Sequence, residues 1–430
     1  MTTTLVMHGK CFCTHWLARI MPVLLCVLSD YIGLSALMPV LPYHLRDHSS
    51  LSERAQAQWA GAISSSQFAA VMLACLLMGR VADSLGAKRA VQLAMVGNVV
   101  TFMATAATAH PVKLLFIRFG AGLSSPLVPS LAYIFENVTA EHVVQGTSAY
   151  MLAVVLGMLI GGAAVGLYDL VGWVGIALLS GSIGVVGLAS TLPLRGTKPK
   201  ERVQAQHVRR ALRSPHFVTH AVTAFSIGYS FATCIALLPV MLMERGWRAS
   251  SVSLVVFSLA IPTGFASLVS PLITRRFGVQ RPITCGLMLQ LLAAAVLVAP
   301  PCGNNSIALI LIMVIINFAV FSEQPPNNSR AKTIAQHLTS GGTGTITGWS
   351  RFVFSAGCAV GPGASLPLHT QASWVPWLVL ACVQLMTLVT YAGFGVSLLS
   401  DPDWAAVAAT CPAVPRSLHD AAVIERPSPV

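Results

Sequence analysis

The sequence predicts an all-α polytopic membrane protein with twelve transmembrane helices in two six-helix bundles. Hydrophobic residues make up 55% of the 430 residues, charged residues make up 9%, and the mean hydropathy is +0.73. A soluble domain usually carries about 25% charged residues, so this composition excludes that class. Apolar stretches of about 20 residues, the length that crosses roughly 30 Å of hydrocarbon as a helix, recur along the chain. One long polar interruption divides them into two sets.

Each set contains six apolar stretches. The first set, the predicted N-terminal bundle within residues 20–194, occupies 20–41, 58–79, 90–109, 114–135, 146–167 and 173–194. The second set, the predicted C-terminal bundle within residues 217–399, occupies 217–240, 251–272, 283–301, 307–326, 343–366 and 375–399. Residues 195–216 are polar and predict a cytoplasmic linker, while 1–19 and 400–430 are predicted to be cytoplasmic tails.

The distribution of Lys and Arg predicts the orientation, because cytoplasmic loops carry the excess of basic residues. With the N-terminus inside, 19 of the 26 basic residues fall in cytoplasmic segments and five fall on the opposite face. Both termini are therefore predicted to be cytoplasmic, with the plasma membrane as the expected location. The net charge of +12 reflects this topology rather than nucleic acid binding, although the basic linker could contact anionic lipid headgroups.

The most informative segment, residues 79–89, reads Gly-Arg-Val-Ala-Asp-Ser-Leu-Gly-Ala-Lys-Arg between two apolar stretches. The Asp83 carboxylate can accept hydrogen bonds from backbone amides at a neighbouring helix N-terminus, where the dipole favours an anion. Gly79 and Gly86 permit a close approach and a positive φ. Basic residues hold the loop on the cytoplasmic side: Arg80, Lys88 and Arg89. The run resembles the loop signature of the major facilitator superfamily, which that family places between its second and third transmembrane helices.

A degenerate second copy of this loop lies at residues 271–281, between the eighth and ninth apolar stretches. It keeps the glycine, as Gly278, and the final arginine, as Arg281, but it has Arg275 where the first copy has Asp83. The resemblance implies two related six-helix bundles joined by a polar linker, with a binding cavity near the membrane midplane between them.

Asp30 lies about ten residues into the first apolar stretch, where a buried charge costs about 2.5–3.5 kcal/mol on insertion scales. The segment 28–42, with its Pro-Val-Leu-Pro exit, resembles the first helix of the drug:proton antiporters and vesicular amine transporters of the superfamily. The resemblance implies that Asp30 faces the cavity and meets a proton or a cationic group. A carboxylate bonded to a neighbouring helix only to fix packing is the alternative.

Arg118 lies in the fourth apolar stretch, within Arg-Phe-Gly-Ala-Gly, which resembles the R-x-x-x-G element of the antiporter families. An arginine stays protonated when buried, so it can lower the pKa of a nearby carboxylate or hold a substrate carboxylate in a bidentate contact. The alternative is an interfacial arginine whose side chain reaches the outer surface.

Glycine-rich runs occur at equivalent places in the two halves. The fifth stretch partly matches the antiporter signature G-P-x-x-G-G through Gly157, Gly161 and Gly162, with Met158 in place of the proline. The eleventh stretch carries the Gly361-Pro362 pair. Helix packing through glycine explains both runs equally well.

The second half has two candidate charges, Glu323 and Arg351, within or near membrane depth. Both could instead lie at the cytoplasmic interface, because Glu323 precedes a segment with two prolines that is expected to end the tenth helix. Asn317 and Gln67 are neutral candidates for substrate hydrogen bonds, or for packing between helices. Before the first helix, Cys11 and Cys13 suit palmitoylation, and an unmodified pair is at least as compatible with the sequence. A metal site formed by this pair with His15 is the least favoured alternative.

The resemblance implies a secondary active transporter that works by alternating access. The expected function is proton-coupled efflux of a drug-like compound or secondary metabolite, in which protonation of Asp30 is exchanged for substrate. An exporter of a small organic acid is the main alternative, since a carboxylate suits Arg118. A non-transporting receptor on the same fold and a polytopic membrane enzyme are less favoured, because the membrane charges are retained and His/Asp clusters are missing.

The sequence contains no nucleotide-binding loop, catalytic triad or metal cluster. No enzyme activity, metal or cofactor is therefore expected. The expected partners are a small-molecule substrate, protons and membrane lipids, with no nucleic acid and a monomeric chain.

The predicted orientation can be tested with an accessibility tag placed after Val430 or in the linker near Gln204. Because the basic residues lie mostly on one face, both tags should react only from the cytoplasm. The measurement is labelling of intact cells before and after permeabilisation. Labelling of either tag from outside intact cells would overturn the topology.

Overall fold

The computed structural model describes residues 15–48, 52–164, 167–196, 205–247, 249–299, 305–338 and 343–399. Within these ranges the N-terminal bundle consists of α1 (His15–His48), α2 (Glu53–Leu85), α3 (Ala87–Ala106), α4 (Pro111–Leu123), α5 (Leu127–Asn137), α6 (Val143–Ala164) and α7 (Tyr168–Ser190). A short helix, α8 (Ala205–Leu212), leads to the second bundle. The C-terminal bundle consists of α9 (Pro215–Met243), α10 (Ala249–Ser258), α11 (Ala260–Phe277), α12 (Gln280–Val298), α13 (Ser306–Leu338), α14 (Thr343–Gln371) and α15 (Val375–Leu399).

These helices confirm the all-α membrane fold and its twelve crossings. The fourth crossing is broken between α4 and α5 near Pro126, and the eighth is broken between α10 and α11 at Leu259. Among the described residues, nine crossings are long and apolar enough to span a bilayer by length and composition alone. The other three are α3, α10 with α11, and α14.

The tenth crossing is longer than the sequence predicts. We expected it to end near residue 326, but α13 continues through Pro325 and Pro326 to Leu338. A proline cannot donate to the carbonyl four residues earlier, so Pro326 leaves the Ser322 carbonyl free. The Ser270 hydroxyl of α11 donates to that carbonyl at 2.8 Å. A neighbouring helix thus replaces the missing bond, which lets the helix continue.

The predicted linker is partly helical. In α8, Ala211 is fully buried in an apolar cluster with Phe217 of α9, Ile334 of α13 and Ile346 of α14. Arg209 and Arg210 of the same helix are exposed. This part of the linker is therefore docked on the C-terminal bundle, whereas 197–204, the tail cysteines and the segment after 399 lie outside the described residues.

Glycines allow equivalent helix pairs to pack closely in the two bundles. Gly157 and Gly161 of α6 face α1, where a Cβ on Gly157 would lie 2.8 Å from the Leu28 carbonyl oxygen. Gly357 and Gly361 of α14 face α9 in the same way. Helix association in a membrane depends on such close approach, so these glycines take part in helix packing.

The two bundles meet through several helix pairs. α2 packs against α14, α6 packs against α11 and α13, and α5 packs against α14. Gly79 and Gly348 lie where α2 and α14 cross, and a Cβ on Gly348 would come within 3.3 Å of the Gly79 Cα atom. Gly162 lies against Phe257 of α10 across the same boundary.

The contribution of close packing can be measured with two substitutions in one helix. A Cβ on Gly357 would lie 2.8 Å from the Tyr229 backbone nitrogen, whereas one on Gly363 would meet nothing within 4 Å. We expect Gly357→Ala to lower the free energy of unfolding by about 1–3 kcal/mol through overpacking. Gly363→Ala is the matched control and should be neutral or stabilising, since alanine has the higher helix propensity. Equal thermal stability of both purified variants would contradict this packing.

Candidate functional site

Asp83 joins the two bundles through a carboxylate at a helix N-terminus. It lies in the last turn of α2 and accepts hydrogen bonds from the backbone nitrogens of Gly344 and Thr345, both at 2.8 Å. The Thr345 hydroxyl donates to the same carboxylate at 2.6 Å. The first amides of α14 have no partner within their own helix, and the helix dipole favours an anion there. The backbone contacts expected for Asp83 are therefore confirmed.

The turn that follows Asp83 is a single residue, Gly86, with φ 87° and ψ 146°. Lys88 then donates to the carbonyl oxygens of Leu192 and Leu194 at 3.1 and 2.6 Å, just beyond the end of α7. Two basic residues of the loop are exposed: Arg80 and Arg89. In the second copy, Gly278 keeps the positive φ at 78°, and Arg275, in place of the carboxylate, is exposed.

Two further contacts tie the bundles together on the predicted cytoplasmic side. The Lys332 ammonium of α13 donates to the carbonyl oxygen of Val138, at the end of α5, at 2.7 Å. The Thr147 hydroxyl of α6 donates to the Pro325 carbonyl oxygen at 3.3 Å. Sequence reasoning missed both, because a basic residue and a threonine near a helix end carry no distinctive spacing.

Asp30 lies inside the N-terminal bundle, 9% exposed, and accepts a hydrogen bond from the Asn98 side-chain amide of α3 at 2.5 Å. The close approach of α1 and α3 here depends on Gly33, whose missing side chain leaves room for the Phe102 ring. Sequence reasoning did not identify Asn98. Its position as an amide in the middle of an apolar stretch was the signal available.

Arg351 lies at the boundary between the bundles. Its guanidinium carbon is 5.5 Å from the centre of the Tyr150 ring of α6 and 5.4 Å from that of Phe354 on α14. The side chain is 6% exposed, and its Nε and Nη2 atoms have no hydrogen-bond partner. A cation can be attracted to aromatic faces, but those faces do not satisfy its N–H donors.

Asp30 and Arg351 belong to one electrostatic cluster. Both charges act on the hydroxyl groups of Tyr31 and Tyr150, which lie on α1 and α6. Neither charge forms a salt bridge with any residue that the structure describes. A carboxylate from one bundle and a guanidinium from the other therefore approach the same aromatic hydroxyls. Such a group can bind one charged ligand and one proton.

A buried histidine supports the segment that carries Arg351. His220 of α9 is within 3.0 Å of the Asn327 side-chain oxygen of α13 and within 2.6 Å of the Ser350 hydroxyl of α14. These contacts join three helices one residue before Arg351. No motif or spacing in the sequence marks this histidine.

The remaining candidates are not among the charges that act on Tyr31 and Tyr150. Arg118 of α4 is 2% exposed, and both terminal guanidinium nitrogens are unpartnered. Gln67 of α2 is buried with its side-chain oxygen unpartnered. Glu323 is fully buried in the middle of α13, and Asn317 donates to the Met313 carbonyl of its own helix. No group of three potential metal ligands occurs among the described residues.

Comparison with known proteins identifies the architecture. The sequence profile of the Major Facilitator Superfamily matches residues 23–362. The crystal structure of the human organic anion transporter MFSD10 (TETRAN) is similar, with a TM-score of 0.72 and 16% identity over 87% of this chain and 99% of that chain. A bacterial homologue of the iron transporter ferroportin in an outward-facing state has a TM-score of 0.71 and 14% identity, covering 88% and 99%.

The proton:xylose symporter XylE bound to a bromodeoxyglucose is also similar, with a TM-score of 0.72 and 12% identity over 88% of this chain and 96% of that chain. No curated protein matches the sequence. At these identities the likeness is one of fold.

The Asp83 contact predicts a measurable change in conformational populations. In Asp83→Asn, one acceptor oxygen and the negative charge are lost, so the contact with α14 should weaken. A coupling of about 1–3 kcal/mol corresponds to a population change of roughly 5- to 150-fold. Arg89 and Arg275 are both exposed and can carry spin labels. Pulsed electron paramagnetic resonance should show a larger fraction of long label-to-label distances in the variant than in the wild-type protein. Transport should fall while surface abundance is kept.

The matched control is Ser84→Ala, in the same turn of α2. Its hydroxyl donates only within its own helix, to the Val81 carbonyl oxygen at 3.2 Å, so the distance distribution should not change. An unchanged distribution in Asp83→Asn as well would remove this contact from the conformational equilibrium.

Proposed function

Because the chain belongs to the major facilitator superfamily and is a multi-pass membrane transporter rather than an enzyme, we propose that it carries out proton-coupled transport of a small organic anion by alternating access. The observation that carries this proposal is Arg351. Its guanidinium is buried between the two bundles, its Nε and Nη2 atoms are unpartnered, and no acidic side chain among the described residues pairs with it.

The chemistry of arginine favours an anion as the ligand. A guanidinium stays charged even in a buried site, and its planar set of donors matches the two oxygens of a carboxylate. Unpartnered buried N–H groups cost about 1–3 kcal/mol each, which an anionic substrate would recover. The rings of Tyr150 and Phe354 flank the guanidinium and would contact the apolar part of the substrate. One similar structure is that of an organic anion transporter, which is compatible with this substrate class.

Asp30 is the proton-binding group of the proposal. The carboxylate is buried beside one amide, and no described cation compensates its charge, so binding a proton removes a large electrostatic cost. A proton moving down 100 mV supplies about 2.3 kcal/mol, enough to concentrate a substrate several-tenfold.

The contacts between the bundles supply the conformational part of the proposal. Asp83, Lys332 and Thr147 all join the bundles on the predicted cytoplasmic side. We infer that these contacts close that side in the present conformation, and that access from the cytoplasm requires their loss. The charge of the Asp83 loop thus biases one of two conformations. From the antiporter-like motifs, we propose that the transporter exports its substrate. We also propose that it lies in the plasma membrane with both termini in the cytoplasm.

Efflux of a cationic or neutral drug-like compound is the second candidate. The sequence favours it through the helix that carries Asp30, and the absence of a described cation beside Asp30 is compatible with a cationic ligand there. The two candidates differ in which side chain recognises the substrate. The anion candidate therefore predicts that substitution of Arg351 reduces recognition of the substrate more, whereas the cation candidate predicts that substitution of Asp30 does.

The test is flux from loaded proteoliposomes, with and without a pH gradient, for a panel of carboxylates and a panel of organic cations. For an anionic substrate, Arg351→Lys should reduce carboxylate flux about 10- to 150-fold, since hydrogen bonds to charged groups contribute about 1.5–3 kcal/mol. Asp30→Asn should abolish pH-driven flux while keeping downhill exchange. Arg118→Lys should be milder, because Arg118 does not act on the hydroxyl groups of Tyr31 and Tyr150 as Asp30 and Arg351 do.

The exposed Arg213→Lys is the matched control and should transport normally. The second candidate would be favoured if Asp30→Asn reduces the flux of organic cations and Arg351→Lys leaves that flux unchanged. Full pH-dependent flux of every compound in both Asp30→Asn and Arg351→Lys would contradict both.

A further inference from the structure

Amides at equivalent positions of the two bundles each donate to a buried carboxyl group, although the carboxyl groups themselves lie on the first and tenth crossings, which are not equivalent. Gly86 and Gly278 are the positive-φ residues of the two loop copies, and Asn98 and Gln290 each lie twelve residues after them. Asn98 donates to Asp30. Gln290 of α12 donates to the Glu323 carboxyl oxygen Oε1 at 2.6 Å. Asn98 and Gln290, at corresponding positions of the internal repeat, thus each donate one hydrogen bond to a buried carboxyl group.

The site around Glu323 is built by four helices of the C-terminal bundle. The Gln384 amide of α15 donates to Gln290 at 3.1 Å and to the Ser230 hydroxyl of α9 at 2.5 Å. The Ser226 hydroxyl donates to the Gln384 side-chain oxygen at 2.8 Å. Gly286, one turn before Gln290, leaves the space that the Glu323 carboxyl group occupies. This arrangement fixes the carboxyl group and leaves its second oxygen, Oε2, unpartnered.

The composition of the site suits a proton rather than a metal ion. A cation such as Ca²⁺ needs six or more converging oxygen ligands. Here the Gln290 and Gln384 side-chain oxygens already accept hydrogen bonds from Gln384 and Ser226. The free acceptor is therefore the single Oε2 atom of Glu323. Glu323 is 0% exposed, so an uncompensated negative charge on its carboxyl group costs free energy, and a bound proton removes that cost.

The surrounding titratable groups do not compensate the charge of Glu323. The Tyr391 hydroxyl of α15 interacts with it electrostatically, and the Arg330 guanidinium lies 5.1 Å from the centre of the Tyr391 ring. His220 is bonded to Asn327 and Ser350, and Arg351 lies against Tyr150 and Phe354. The helices packed against α13 also carry exposed arginines at their ends: Arg209, Arg210, Arg275, Arg276 and Arg281. They also carry other titratable side chains: Tyr229, Cys234, Cys285, Cys358, His216 and His369.

We propose that Glu323 is a second proton-binding site, so that each bundle carries one proton-binding carboxyl group and a transport cycle moves two protons. The proposal rests on the proposed function, in which Asp30 is the first site. The proton is taken from water on one side of the membrane, binds Oε2 of the ionised carboxylate, and is released to water on the other side. With two protons for each substrate, the concentration ratio that a pH gradient can sustain is the square of the ratio for one.

Infrared spectroscopy of the purified protein tests this without a known substrate. The C=O stretching band of a protonated carboxyl group is followed across the pH range in which buried carboxyl groups ionise. Wild-type protein should show two such bands that disappear as the pH rises. Glu323→Gln should lose one of them and Asp30→Asn the other, and each variant should release about one proton fewer per protein in a pH jump.

A second pair of variants keeps both carboxyl groups. Gln290→Leu removes the hydrogen bond to Glu323 and should shift only the Glu323 band, while Asn98→Leu should shift only the Asp30 band. The control is Glu244→Gln, whose carboxyl group is 58% exposed at the end of α9 and should leave both bands unchanged.

The outcomes separate the two claims. If the Asp30 band titrates and the Glu323 band is absent or does not change with pH, Glu323 is not a proton-binding site and the proposed function is kept. If the Glu323 band titrates and the Asp30 band does not, the proposed role of Asp30 fails instead. A proton count unchanged by Glu323→Gln would also overturn the second site.

Discussion

The absence of water in the hydrocarbon core is the constraint on which this structure depends, because every polar group there must find its partner inside the protein. It explains why the described crossings are helices and why α13 continues through two prolines. The carbonyl that Pro326 leaves free is taken by the hydroxyl of Ser270. It also explains the amide and hydroxyl network around Gln384, in which donors and acceptors from α9, α12 and α15 satisfy one another.

The same constraint makes the unsatisfied groups informative. Arg351 keeps two unpartnered nitrogens and Glu323 keeps one unpartnered oxygen, although both side chains are buried. Packing alone would not retain such groups, since each costs free energy in the folded state. This cost is removed when a substrate or a proton binds to the unpartnered atoms during the transport cycle. We therefore regard incomplete hydrogen bonding as the main physical link between this fold and transport.

The two bundles share their helix packing and their loop turns, but they differ in the charged residue at the equivalent position of the two loops. Close packing of α6 on α1 and of α14 on α9 uses glycines in both, and both loop copies turn at a glycine with positive φ. The carboxylate that contacts the opposite bundle is present only in the first copy, as Asp83, because the second copy has an exposed Arg275. The Asp83 contact between the bundles therefore has no counterpart from the second loop. A difference of one charge can bias two otherwise similar conformations.

The sequence by itself determined the class, the twelve crossings and the capacity of Asp83 to accept backbone hydrogen bonds at a helix N-terminus, whereas the structure decided that this helix is α14 of the opposite bundle. These follow from local properties: hydropathy over about 20 residues, and a carboxylate and glycines at fixed spacing near a helix end. Only the tertiary structure decided the partners of the buried charges. Asn98, Gln290 and Gln384 are ordinary amides in apolar stretches, and Arg351 gave no sign of its place against Tyr150. Which side chains meet across helices depends on helix rotation and crossing, and these are set by packing between residues far apart in the chain.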